Sequence, residues 1–200
     1  MLETALGLDH AMTAPHRSAA KIGAEVMEAG GSAIEAMVAA AAAIAVVYPH
    51  MNGIGGDGFW IIRRPGERPV AISACGGAAG LATPEWYAER GVTSALPARG
   101  ALAALTVPGT IGGWQAALDM VPAAKRMPLS ELLAPAVKLA RTGVAVSRNQ
   151  AETTAEKLDG LRDVPGFADI YLEGDQAPRA GARLVQAALG DTLAHLGEAG

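Results

Sequence analysis

Cys75 is the only cysteine in this 200-residue sequence, and its thiol is the side chain best suited to covalent chemistry. A thiolate attacks a carbonyl carbon when a histidine accepts its proton. Four histidines are available as that base, and they are His10, His16, His50 and His195. The residue types leave three roles for Cys75: a nucleophile, a wall of a substrate site, or a small core residue, the commonest role of a lone cysteine. A single cysteine excludes an internal disulfide framework and a metal site of several thiolates.

Residues 53–58, Gly-Ile-Gly-Gly-Asp-Gly, form a glycine-rich stretch whose backbone N–H groups could approach an anion. Stretches that hold phosphate open a helix, and the P-loop version ends in Lys-Ser or Lys-Thr. Here the patterns predict a helix before the stretch and a strand after it, and no such pair follows. We therefore predict a tight helix-to-strand connection, with no nucleotide and no cofactor.

Two other groups of residues have chemistry that their surroundings do not support. His50 has no second histidine or carboxylate at ligand spacing, which indicates a structural histidine and no metal site. A threonine freed by self-cleavage can act as a nucleophile with its own amine as base. Thr153 and Thr154 are followed by Ala-Glu-Lys-Leu, which favours a helix rather than the buried strand that such a threonine should begin.

The composition limits the partners that the chain could bind. Half of the residues are apolar, 4% are aromatic, the net charge is −4 and no run of Lys or Arg occurs, so we expect a small-molecule partner, with no nucleic acid and no membrane. Residues 36–47 form the longest apolar run; a membrane-spanning helix needs about 20 residues. Glu3 and Asp9 interrupt the first twelve residues, which lack a secretory signal, and we expect a cytoplasmic protein.

The elements that position these residues begin with two helices. Apolar residues from Ala19 to Met27 repeat on one helical face, and Gly30-Gly31 predicts the end of that helix. Ser32 and Glu35 have the spacing of a capping box, which predicts the start of a second helix. That helix is apolar on all faces, so it must be packed around by other elements.

The rest of the chain predicts a hairpin followed by more helices. Residues 59–62 and 69–72 are short apolar runs around a Pro-Gly turn, the pattern of a β-hairpin. Helices are predicted at residues 111–120, 129–141 and 184–196, and the stretch 159–183 is predicted as loop with one strand at 169–172. The class is therefore α+β, and the two-stranded piece needs partner strands from elsewhere.

Five segments share residues and order with a known family. They are Met12-Thr13-Ala14-Pro15-His16, Gly30-Gly31-Ser32-Ala33-Ile34-Glu35-Ala36, Pro49-His50, Gly53-Ile54-Gly55-Gly56-Asp57-Gly58-Phe59 and Val107-Pro108-Gly109-Thr110-Ile111-Gly112-Gly113. Together they resemble the start of the large subunit of γ-glutamyltransferases, also called γ-glutamyltranspeptidases. The likeness continues through residues 129–143 and 184–196, so it covers nearly the whole chain.

The resemblance implies part of the four-layer αββα sandwich of an N-terminal-nucleophile hydrolase. Such an enzyme is made as a precursor that cuts itself into a large and a small subunit, and the new N-terminal threonine attacks an amide carbonyl. We therefore expect residues 1–200 to be the N-terminal part of the large subunit, one incomplete domain and a fragment. The nucleophilic threonine is expected beyond residue 200, no catalytic residue is assigned here, and the assembly is expected to be a heterodimer or a dimer of heterodimers.

Cys75 stands where the family pattern has a substrate-binding arginine. In the family the run Ala-Ile-Asp-Phe-Arg-Glu contains an arginine that holds the substrate's α-carboxylate, and the matching run here is Ala71-Ile72-Ser73-Ala74-Cys75-Gly76. A thiol has no planar, permanent charge with which to hold a carboxylate. The resemblance therefore implies that Cys75 is a substrate-binding residue of a small-acid amidohydrolase, of which oxamate hydrolases are one branch, or of an acylase-like enzyme. The alternatives are a genuine γ-glutamyltransferase, a non-catalytic binding module and a thiol enzyme.

Overall fold

The computed structural model describes residues 6–199. Its elements, in chain order, are α1 (Arg17–Glu28), α2 (Ala33–Val47), β1 (Gly58–Ile62), β2 (Val70–Ala74), α3 (Pro84–Ala88), α4 (Thr110–Leu118), α5 (Leu129–Thr142), β3 (Val144–Ala145), α6 (Arg148–Leu161), α7 (Phe167–Tyr171), β4 (Arg183–Leu184) and α8 (Ala187–Ala199). Short 3-10 turns occur at Ala101–Ala103 and Ala123–Lys125. The described residues combine helices with two antiparallel strand pairs, which confirms the predicted α+β class.

The chain divides into two compact units. The first contains the described residues up to Gly53, then Trp114–Ala145 and the residues from Arg183 onward. The second contains Ile54–Gly113 and Val146–Ala182. Each unit is therefore built from stretches that are distant in sequence.

Helix α2 is the centre of the first unit. Helices α1 and α5 pack against it, and α8 packs against α5. Eleven of the fifteen residues of α2 are buried, and Val38 and Val46 are fully so, which confirms the helix that was predicted to be enclosed by others. The predicted capping box is present, since Ser32 and Glu35 each accept from the other's backbone N–H.

Glu35 also joins α2 to the segment that precedes α5. Its side chain is 1% exposed. One carboxylate oxygen accepts from the backbone N–H and the hydroxyl of Ser32 at 2.7 and 2.6 Å, and the other accepts from the N–H of Met127 at 2.6 Å. A buried carboxylate is tolerated when donors surround it. The hydrogen bonds of Glu35 therefore link the start of α2 to the segment before α5 within the first unit.

The second unit contains the predicted hairpin. Strand β1 pairs antiparallel with β2, so that Gly58 lies opposite Ala74 and Ile61 opposite Ala71. Side chains alternate between the two faces of a strand. On one face Phe59 and Ile61 remain 70% and 82% exposed, which leaves an apolar face of this hairpin open to solvent.

The strand predicted at residues 169–172 is wrong. Residues 169–171 lie in helix α7, in which the rings of Phe167 and Tyr171 stack with centroids 5.3 Å apart. Aromatic residues four apart meet on one side of a helix, and that contact outweighs the strand preference of the Ile-Tyr-Leu sequence.

The helix predicted at residues 184–196 begins later than expected. It is α8, which starts at Ala187, because Arg183–Leu184 forms β4 and pairs antiparallel with β3 at Val144–Ala145. Strands of two residues have too little periodicity to be recognised in a sequence. Helix α3 was also missed, although Thr83 and Pro84 are a cap and a first-turn proline that could have indicated it.

Candidate functional site

The thiol of Cys75 lies just beyond the end of β2 and is exposed. Its sulfur is 3.1 Å from the hydroxyl oxygen of Ser73, two residues earlier. Strand periodicity places Ser73 on the same face as Phe59, its partner across the hairpin. The role of a small core residue is therefore wrong for Cys75 in this chain, and a wall or nucleophile role remains.

Residues 105–110, the clamp segment, run beside the chain that leaves β2. The N–H of Ala79 donates to the carbonyl of Leu105 at 3.1 Å, and the N–H of Val107 donates to that of Gly77 at 2.9 Å. An antiparallel bridge between Ala78 and Thr106 lies between these bonds. The clamp segment thus acts as a short extra strand beside the exit from the hairpin.

Two glycines allow the clamp segment to approach Cys75 closely. A Cβ at Gly76 would overlap the carbonyl oxygen of Val107 and lie 2.6 Å from its carbonyl carbon. A Cβ at Gly109 would overlap the carbonyl oxygen of Ala74 and lie 2.7 Å from its carbonyl carbon. Backbone atoms cannot yield as a flexible side chain can, so both positions require glycine. The main chain on each side of Cys75 is therefore held against the clamp segment.

The glycine-rich stretch is anchored through the carbonyl of Gly56. This oxygen accepts from the N–H of Gly109 and of Thr110, both at 3.0 Å, and from the hydroxyl of Thr110 at 2.8 Å. Free N–H groups at a helix start need acceptors, and a carbonyl here fills the position at the start of α4 that an anion would take. The stretch lies between the end of α2 and the start of β1, which confirms the predicted order of helix and strand.

The four histidines belong to the first unit, whereas Cys75 belongs to the second, which contains no histidine. Three of them have local contacts. His16 accepts from the N–H of Ser18 at 3.2 Å, His10 lies 3.9 Å from the carboxylate of Glu28, and the His50 ring meets that of Tyr48. The unit that contains Cys75 therefore supplies no imidazole of its own as a base for the thiol.

The remaining candidates are the two adjacent threonines and a metal site. Thr153 and Thr154 lie inside α6, as their sequence context predicted, and Thr154 is 4% exposed. Among residues 6–199, no group of three histidine, cysteine or acidic side chains is placed to hold a metal ion. Within the same range, no helix has both the length and the apolar character needed to cross a membrane.

Sequence reasoning missed Thr110, Gly76 and Gly109 as parts of this site. The first and third lie in the Val107–Gly113 motif, to which no role was attached. Their roles depend on contacts across the fold, since 54 positions separate Thr110 from Gly56. A Pro-Gly pair directly before a helix was the local signal of a specialised backbone.

The fold described above is that of an N-terminal-nucleophile hydrolase. The solved γ-glutamyltranspeptidase of Helicobacter pylori superposes on it with a TM-score of 0.88 at 31% identity, over 99% of this chain and 56% of that one. The family model for γ-glutamyltranspeptidase matches residues 19–200. The chain belongs to the γ-glutamyltranspeptidase family, which confirms the resemblance found in the sequence.

Two curated members of the family are similar in sequence to this chain. The oxamate amidohydrolase proenzyme of Klebsiella pneumoniae is 50% identical over 189 residues, which are 94% of this chain and 35% of that protein. A glutathione hydrolase-like proenzyme of Bacillus subtilis is 35% identical over 201 aligned residues, with 100% of this chain and 37% of that protein covered. The chain thus spans a little over a third of the length of these relatives.

Proposed function

We propose that this chain is the N-terminal part of the large subunit of a self-processed amide hydrolase, whose substrate is the amide of a small acid. The observation that carries the proposal is the exposed, uncharged Cys75 at the end of β2, where the family pattern has arginine. We assign Cys75 to the wall of the substrate pocket, as a substrate-binding residue. The acid product is then selected by size and by neutral contacts rather than by a guanidinium.

The neighbour of Cys75 supports this assignment. Ser73 stands where the family pattern has aspartate, so the aspartate and arginine positions of the pattern are both neutral here, and the side chains of Ser73 and Cys75 contact each other at 3.1 Å. Loss of one member of a buried charge pair costs about 2–5 kcal/mol, and about 1.4 kcal/mol corresponds to a tenfold change in affinity. A γ-glutamyl substrate, which carries an α-carboxylate, should therefore bind poorly.

The open face of the hairpin supports a second subunit. Phe59 and Ile61 are far more exposed than large apolar side chains of a finished core, and an uncovered two-stranded sheet is only marginally stable. The relatives are long enough to supply further strands outside the part that this chain matches. We propose that the protein's own small subunit covers this face, in a heterodimer or a dimer of heterodimers located in the cytoplasm.

The proposed reaction divides its parts between the two subunits. A threonine that lies beyond residue 200 begins the small subunit, attacks the amide carbonyl and forms an acyl-enzyme with release of the amine or ammonia. Water then attacks the acyl-enzyme and releases the acid. Residues of this chain line the site of the substrate's acyl part, and a thiol in place of a guanidinium leaves space and no charge there.

The test uses the full-length gene product. Its intact mass shows whether it splits and whether the second piece begins with threonine. Hydrolysis of oxamate and other small-acid amides is then compared with that of a γ-glutamyl anilide, and we expect kcat/KM to favour a small-acid amide at least about tenfold. Equal or faster hydrolysis of the anilide would support a glutathione hydrolase, as in the Bacillus relative's name. One uncut, inactive chain would support a non-catalytic module.

A further inference from the structure

The carbonyl oxygen of Gly56 accepts more donors than a backbone carbonyl usually does. A carbonyl oxygen has two lone pairs, and this one is approached by two N–H groups and by the hydroxyl of Thr110. Thr110 is 8% exposed, so water does not readily replace its hydroxyl. Among the three described donors to the Gly56 carbonyl, this hydroxyl is the one that belongs to a side chain. A substitution can therefore remove it and leave the two N–H donors in place.

The start of α4 lies close to the first residue pair of the hairpin, Gly58 and Ala74. A Cβ at Gly58 would lie 3.5 Å from the Cα of Thr110, which is ordinary contact. A Cβ at Gly113 would lie 2.7 Å from the Cβ of Ala74 and 3.3 Å from the indole nitrogen of Trp60. Ala74 directly precedes Cys75. A displacement of the start of α4 would therefore displace the residue before the thiol.

Gly109 provides a second set of contacts between the start of α4 and the residues that flank Cys75. Its N–H shares the Gly56 carbonyl with Thr110, and a Cβ built on it would overlap the carbonyl oxygen of Ala74 and lie 3.2 Å from the nitrogen of Gly76. A small shift of Gly109 therefore moves the backbone on both sides of Cys75.

We propose that Thr110 is a positioning residue for the substrate-binding wall at Cys75. It does not touch the substrate. Its hydroxyl holds the Gly56 carbonyl, and this bond holds Gly109 against the exit of β2. The inference rests on the proposed function, since it gives Cys75 a substrate to bind.

The experiment compares two variants of the full-length enzyme. Thr110→Val removes the hydroxyl and keeps the shape of the side chain, whereas Thr110→Ser keeps the hydroxyl. With oxamate, or the small-acid amide that the enzyme hydrolyses fastest, we expect Thr110→Val to raise KM about three- to tenfold with kcat changed less than about twofold. Thr110→Ser should restore a KM close to that of the wild type. Thr110→Ala replaces the valine variant if that variant does not fold.

A double-mutant cycle separates positioning from general stability. In a Cys75→Ala background the hydroxyl has no thiol to position, so Thr110→Val should raise KM no further. The same fold-increase in both backgrounds would overturn the proposal. A lower melting temperature with KM unchanged would overturn it as well, because the hydroxyl would then be only structural.

Thiol reactivity provides a readout that does not need turnover. The rate at which iodoacetamide alkylates Cys75, followed by peptide mass mapping, should change at least about threefold in Thr110→Val and little in Thr110→Ser. An unchanged rate would overturn the positioning role even if the enzyme were active. A changed rate in a protein that hydrolyses no amide would support positioning and reject the proposed function.

Discussion

The hydroxyl oxygen of Ser73 lies 3.1 Å from the sulfur of Cys75. The two side chains lie on the same side of the strand end, because residues two apart point the same way. Neither carries a formal charge in its ordinary state, and both are exposed in this chain. The contact therefore gives the candidate site a neutral pair at the point where the family pattern has an aspartate and an arginine.

Replacing Cys75 by arginine should change which substrate is preferred. In full-length Cys75→Arg, kcat/KM for a γ-glutamyl anilide should rise at least about tenfold, because a guanidinium can hold the α-carboxylate with two hydrogen bonds. Turnover of the small-acid amide should fall as space is filled. Cys75→Lys is the matched control, since it adds the charge without the planar fork and should give a smaller gain. No gain in the arginine variant would contradict the pocket-wall role.

Adjacent glycines beside Cys75 should respond very differently to alanine. Gly76→Ala places a methyl group on the Val107 carbonyl, so we expect a loss of about 3 kcal/mol or more in the free energy of unfolding, or insoluble protein. Gly77→Ala is the control, because nothing lies within 4 Å of a Cβ there. Urea denaturation of both variants measures the contrast. Similar losses in the two would show that the close approach at Gly76 does not determine stability.

Local sequence signals predicted the parts of the fold whose causes are local. The capping box of Ser32 and Glu35 spans four residues, and the hairpin follows from two apolar runs around a turn. The strand predicted at 169–172 failed because the stacking of Phe167 on Tyr171 favours a helix. A pattern of residue types does not reveal which contact wins when strand propensity and a helical side-chain pair compete.

The candidate site was predicted only in part for the same reason. The motif containing Cys75 identified its place in the chain, but its exposure was not predicted, since lone cysteines favour the core. The approach of Gly76 to Val107 and the bond from Thr110 to Gly56 join segments distant in sequence. Such contacts depend on how the elements assemble, and no spacing within one segment encodes them.

The buried carboxylate of Glu35 should contribute strongly to stability. Glu35→Gln replaces one acceptor oxygen by an NH2 group, which then faces donors from Ser32 or Met127. We expect the free energy of unfolding to fall by about 2–3 kcal/mol. Glu28→Gln is the control, because Glu28 is 65% exposed and should change stability by less than about 0.5 kcal/mol.

The contribution of Glu35 should also depend on pH. Burial raises the pKa of Glu35. Hydrogen bonds from Ser32 and Met127, together with the charge of nearby Arg126, lower this pKa by more, so that it lies below the ordinary value of 4.5. Because the folded pKa is lowered, the stabilisation is fully present above pH 4.5 and is lost as the pH falls through the folded value. The stability difference between wild type and Glu35→Gln should therefore shrink in acid. A difference that grows on acidification would contradict this reasoning.

His16 should make the start of α1 sensitive to pH. Its ring nitrogen Nδ1 accepts from the N–H of Ser18 at 3.2 Å, and a protonated ring has no lone pair with which to do so. Burial, followed by the charge of Arg17, lowers the pKa of His16 below 6.5. Protonation is therefore disfavoured in the folded state, and the positive end of the helix dipole acts in the same direction.

The sign of this effect follows from the lowered pKa of His16. The cap stabilises the folded state fully above pH 6.5, and its contribution is lost as the pH falls through the folded pKa. His16→Asn keeps an acceptor that does not titrate, so its free energy of unfolding should decline less than that of the wild type between about pH 7.5 and pH 5.5. His16→Ala should lose about 1 kcal/mol at the upper pH. Parallel declines in wild type and His16→Asn, measured by urea denaturation, would show that another group controls this pH dependence.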